Sequence, residues 1–71
     1  MTNTKKLKDR IDDSGISISF ISRKMGISRE AFYLKMNNET EFKASEIRCI
    51  KEVLSLTNKE RDVIFFADEV E

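Results

Sequence analysis

The sequence predicts a single all-α domain of five short helices, and three observations carry that expectation. Proline is absent from the 71 residues and glycine occurs only twice, in a chain dominated by Lys, Arg, Glu, Asp, Leu and Ile, which favours helices over sheets. Apolar residues recur at spacings of three and four along most of the chain. Residues suited to starting and stopping helices punctuate those stretches.

Asn3 and Thr4 are both placed to cap a first helix running from about Lys5 to Ser14, with Leu7 and Ile11 on one face and Gly15 at its end. Ser17 offers its hydroxyl to the open amides of a second helix, whose apolar residues are Ile18, Ile21 and Met25, and Gly26 stops it. After Ile27, Ser28 caps a third helix to about Met36, with Phe32 and Met36 facing inward. Asn37 and Asn38 tolerate left-handed backbone angles, so they suit the exit from this helix into a polar loop through Thr40 and Glu41. Phe42 is expected to fold back on the core. A fourth helix spans about Ala44 to Ser55 with a stripe of Ile47, Ile50, Val53 and Leu54. Thr57 and Glu60 form a T-x-x-E capping box that opens a fifth helix. That helix carries Val63, Ile64, Phe65, Phe66 and Ala67, more apolar bulk than one stripe needs. Either all of it closes the core or one phenylalanine projects toward a partner. The acidic residues Asp68, Glu69 and Glu71 follow.

Composition excludes several classes of function. The single cysteine, Cys49, has no partner for an internal disulfide, and with no histidine in the chain a structural zinc site lacks its usual ligands. Helix packing must therefore stabilise the fold. No glycine-rich phosphate loop, metal spacing or nucleophile with an identifiable base is present, so neither an enzyme nor a cofactor nor a small-molecule substrate is expected. Asp12 and Asp13 are adjacent, point different ways on a helix, and read as solvated. Cys49 reads as a small core residue. No apolar run reaches the roughly 20 residues that cross a bilayer, and the amino-terminal stretch lacks a secretory apolar core, so a cytoplasmic protein without a membrane partner is expected. The formal charge is zero, but residues 1–38 hold eight basic and four acidic side chains, net +4, and residues 39–71 hold five and nine, net −4. This asymmetry fits a basic face on phosphate and an acidic half turned to solvent or to a basic protein.

The stretch Ser17 to Met36 reads as two short helices joined by a tight turn at Gly26, with Ile27 plugging the space between them, the arrangement of a helix-turn-helix formed by helices 2 and 3. Ile16-Ser17, Lys24-Met25-Gly26-Ile27-Ser28-Arg29 and Asn37 give the chain a resemblance to the Cro/C1-type helix-turn-helix family of phage repressors over about residues 5 to 55. The ending, Leu56 to Asp62 and Ile64 to Ala67, further resembles early regulators of temperate phages of Gram-positive bacteria, including antirepressors that act with the phage repressor.

The resemblance implies a five-helix lambda-repressor-like DNA-binding domain and double-stranded operator DNA as a partner. It places Ser28, Arg29, Glu30 and Tyr33, with Leu34 beside them, against base edges. Arg29 has the planar fork that pairs with both guanine acceptors, Glu30 can accept from a cytosine amine, and Tyr33 can meet a thymine methyl or a phosphate. Arg23, Lys24, Lys35, Asn37 and Asn38 are the implied phosphate contacts that set register. Lys5, Lys6 and Lys8 add nonspecific attraction that weakens with salt. Related regulators pair as homodimers on two half-sites, although no dimer surface is legible here.

Two features depart from the family. Ile18 stands where a Gln commonly hydrogen-bonds DNA, and Ile18-Ser19-Phe20-Ile21 holds more apolar surface than one buried face requires. Either Ile18 or Phe20 is then exposed as a contact for another protein. With the zero net charge, this opens a second reading in which the chain grips the phage repressor itself, charge complementarity steering the encounter.

Overall fold

In the computed structural model, which describes residues 1–67, the chain forms α1 (Thr4–Ser14), α2 (Ile18–Met25), α3 (Arg29–Met36), α4 (Ala44–Val53) and α5 (Asn58–Phe65). The described residues contain no strand, so the all-α expectation is met. Asp68 to Glu71, the acidic ending anticipated from sequence, lie outside the described residues.

The helix starts follow their cap chemistry. Asn3, the residue before α1, accepts from the Lys6 amide at 3.1 Å, Ser17 from Phe20 at 3.1 Å, and Ser28 from Ala31 at 3.0 Å. Each satisfies an amide that has no partner inside its helix. Thr57 and Glu60 form the anticipated reciprocal box, at 2.8 Å and 3.0 Å. The start of α4 has no Ser, Thr, Asp or Asn cap. There the Glu46 carboxylate alone reaches back to accept from the Lys43 amide at 2.8 Å.

Three helices end in one geometry, a left-handed residue followed by a chain that turns back. After α2, Gly26 has φ 75°; its amide donates to Arg23 O at 3.1 Å and that of Ile27 to Ser22 O at 3.0 Å. After α3, Asn38 takes the same role at φ 65°, with Glu39 N–H donating to Leu34 O at 2.9 Å. After α4 it is Ser55, at φ 53°, with Leu56 N–H donating to Lys51 O at 2.9 Å. These paired bonds satisfy the last carbonyls of each helix. Ser55 therefore lies beyond α4 instead of ending it, and Leu56 is turned inward to become a buried core residue.

The core gathers Leu7 and Ile11 from α1, Ile21 from α2, Phe32 and Met36 from α3, Ile47 and Ile50 from α4, Leu54 and Leu56 from the turn, and Ile64 and Phe65 from α5. Phe42 is half-buried and sits edge-on between two of them, 5.7 Å from the Phe32 ring and 5.3 Å from that of Phe65, a geometry in which ring edges meet ring faces favourably. The phenylalanines at the end of α5 close the core: Phe65 is buried, and Phe66 is half-buried against the same cluster, as is Val53 of α4. Cys49 is half-buried. No helix among the described residues is long and apolar enough to cross a membrane.

The left-handed Ser55 gives a first test. A side chain at that backbone angle is strained by roughly 1–2 kcal/mol, partly offset by the greater freedom glycine has in the unfolded chain. Ser55→Gly is expected to raise stability by about 0.5–1 kcal/mol in urea unfolding; an unchanged or lowered midpoint contradicts the strain.

Candidate functional site on the α2–α3 face

The geometry of α2 and α3 follows from Gly26. A Cβ on this glycine would meet nothing within 4 Å, so the residue is required by the sign of its φ and not by a shortage of room. The turn closes within Gly26, Ile27 and Ser28, Ile27 packs against the core, and α3 begins immediately at Arg29. Ser22, buried on the inner side of α2, donates its hydroxyl to Ile18 O at 2.8 Å, which satisfies it within its own helix.

The residues anticipated at base edges lie at the open end of α3. Arg29 and Glu30 are exposed in its first turn, the Ser28 hydroxyl is occupied by the cap, and Tyr33 and Leu34 are 38 % and 42 % exposed. Arg29 and Tyr33 share a shallow groove with Ile18 and Ser19 of α2 and with Ile16 just before it. Of the two apolar candidates on α2, Ile18 is half-buried against the core and Phe20 is the exposed one, at 37 %. Among the described residues the exposed large apolar side chains are Met1, Phe20, Tyr33 and Leu34, so three of the four belong to these two helices.

The anticipated phosphate contacts divide into two groups. Arg23 and Lys24 are exposed in the last turn of α2, where cations oppose the negative end of the helix, and both stand over the Phe20 ring, 5.9 Å and 5.5 Å from its centroid. Such cation–π contacts hold the ring and the charges together at the surface. Asn37 is exposed at the end of α3. Lys35 and Asn38 are engaged within the fold. Lys35 Nζ lies 3.1 Å from the Glu46 carboxylate and donates to Glu41 O at 3.0 Å, with its side chain only 13 % exposed. The Asn38 amide bonds both backbone groups of Thr2, at 2.8 Å and 2.9 Å. Sequence reasoning missed Glu46 and Thr2 because each meets its partner across a long loop of chain, and no local spacing signals such a pairing.

The Glu46 carboxyl is pulled in two directions. Burial favours its neutral form, but the Lys43 amide, the Lys35 ammonium and the nearby Lys43 charge outweigh that effect and hold it below its ordinary value. The bond to Lys35 ties the last turn of α3 to the first turn of α4.

A scan against protein-family models and searches of curated proteins and of solved structures return no match.

The Glu46 shift fixes an acid dependence. A carboxyl held below its unfolded value contributes stability that is fully present above that value and is lost as pH falls through the folded one. The wild type is expected to lose melting temperature below about pH 4.3, the ordinary glutamate value, and Glu46→Gln to lose less over the same interval. Parallel pH profiles for the two proteins count against this role of Glu46.

Proposed function

We propose that the chain is a transcriptional regulator of a temperate-phage lysis–lysogeny switch that uses its helix-turn-helix face chiefly to grip the phage repressor, as an antirepressor. The observation carrying this reading is the make-up of the α2–α3 face. It exposes Phe20, Tyr33 and Leu34, whereas the side chains of Lys35 and Asn38, two residues that would hold phosphate, are already bonded, to Glu46 and to Thr2. Aromatic anchors surrounded by charge are the usual make-up of a protein-docking surface, while a DNA backbone site needs basic groups turned outward, which among the anticipated phosphate contacts leaves Arg23 and Lys24. The resemblance of the sequence to phage regulators supplies the setting, a bacterial cytoplasm.

Operator DNA is the second partner, favoured by a separate observation: Arg29 and Glu30 project from the first turn of α3 directly after the tight turn, the position from which a recognition helix reaches base edges. The two partners fit one molecule acting in concert with the repressor.

Mixing the purified chain with its cognate repressor at micromolar concentration is expected to give a shared peak in size-exclusion chromatography. Separate elution rejects the antirepressor reading. Phe20→Ser is expected to weaken repressor binding about tenfold, a typical loss for an interface anchor, and to leave operator binding nearly unchanged. Arg29→Ala should do the reverse in a fluorescence titration with a switch-region duplex, at a cost of about 1–3 kcal/mol. Equal losses of both activities in both variants refute the division of labour.

A further inference from the structure

The segment Thr2 to Thr4 runs beside the exit of α3 and bonds it repeatedly. Thr2 N–H donates to Asn38 Oδ1 at 2.8 Å and Asn38 Nδ2 donates to Thr2 O at 2.9 Å, so a single side-chain amide closes a ring with the backbone of a residue 36 positions away. The Thr4 hydroxyl donates to Met36 O at 2.6 Å. Between them, Asn3 N–H donates to Ile64 O of α5 at 2.6 Å while its side chain caps α1. The segment thus straps the last turn of α3 to the starting turn of α1 and to α5. Asn38 also holds the left-handed angle that ends α3, a conformation Asn tolerates better than most side chains.

We infer that Asn38 is a positioning residue, which through its clasp on Thr2 fixes the root of α3 and thereby aims the exposed Tyr33 and Leu34 of that helix at the partner. This rests on the α2–α3 face being the working surface. The lever is simple. The tight turn at Gly26 and Ile27 holds the Arg29 end, so a loosened root pivots the helix about that turn. Tyr33 and Leu34 stand about 6–8 Å from Arg29 at 1.5 Å per residue, and a tilt of about 10° displaces them by about 1 Å on that length. Interfaces that depend on close-packed anchors lose affinity at displacements of that size, because their contacts operate over fractions of an ångström. Asn38 would then influence binding without touching the partner, in contrast to the phosphate contact implied by resemblance.

The test uses the full chain and two substitutions from opposite sides of the clasp. Asn38→Gly removes the amide while accommodating the left-handed backbone, and Thr2→Pro removes the Thr2 donor while leaving Asn38 intact. In the wild type, the Thr2 amide is expected to exchange with deuterium at least about tenfold more slowly than an open amide; an unprotected Thr2 amide overturns the inference without any variant. Each substitution is expected to lower the melting temperature by about 5 °C, and the double variant no more than either alone, since both break one interaction. Additive losses overturn the clasp. At about 10 °C, near maximal stability where all variants are folded, affinity for the cognate repressor is expected to fall about tenfold in both single variants and no further in the double, a loss that instability cannot produce. Unchanged binding in both, or loss in Asn38→Gly alone, overturns the positioning role, the latter by showing that Asn38 meets the partner directly. Should the wild type not bind the repressor, the reading under Proposed function fails, and the exchange and melting results still decide whether the clasp exists.

Discussion

Helices of eight to eleven residues are too short to persist alone in water, where nucleation is unfavourable and propagation barely offsets it. The fold therefore depends on every helix burying its stripe against the others at once, and the packing of Phe42 between Phe32 and Phe65 is the junction where this happens. It joins α3, the loop after it and α5 through two edge-to-face contacts. Phe32 itself is fully buried. A chain of this size without an internal disulfide has few such junctions to spare, and here the same ring that closes the core also seats the helix whose opposite side faces outward.

Much of this was legible in the sequence because it is written in local chemistry. Ser17, Ser28 and Thr57 mark helix starts by hydroxyls that reach amides two or three residues ahead, and Gly15 and Gly26 mark stops by the sign of their backbone angle. These signals need no knowledge of the rest of the molecule. The end of α4 was misplaced for the complementary reason: Ser55 adopts a left-handed angle that its residue type does not announce, and only the burial of Leu56 on the far side of the turn makes the strain worthwhile. The start of α4 was located without its cause, since a lysine at the cap position conceals the part played by Glu46.

The candidate site was legible in its membership but not in its engagement. Arg29, Glu30 and Tyr33 were singled out by the family resemblance, and all three are exposed. The ambiguity between Ile18 and Phe20 was one of rotation about α2, which periodicity leaves open when consecutive residues are apolar; the core settles it by accepting Ile18. Lys35 and Asn38 look like any polar residues at the end of a helix. Their partners, Glu46 and Thr2, are supplied by tertiary packing, which covers Lys35 and fastens Asn38 where it stands at the surface.

These fastenings root α3 at its last turn, and the tight turn at Gly26 and Ile27 holds its first, so that at this end only the outward side chains are unloaded. The core and the bonds to Lys35, Met36 and Asn38 all act on the side or the root of the helix, while the exposed side chains of Arg29 and Glu30 take no part in them. Replacements of those side chains at the first turn therefore cost the fold little. The outward chemistry of this end can be rewritten by mutation almost independently of thermodynamic fitness, which leaves it open to rapid divergence while the root of α3 stays fixed.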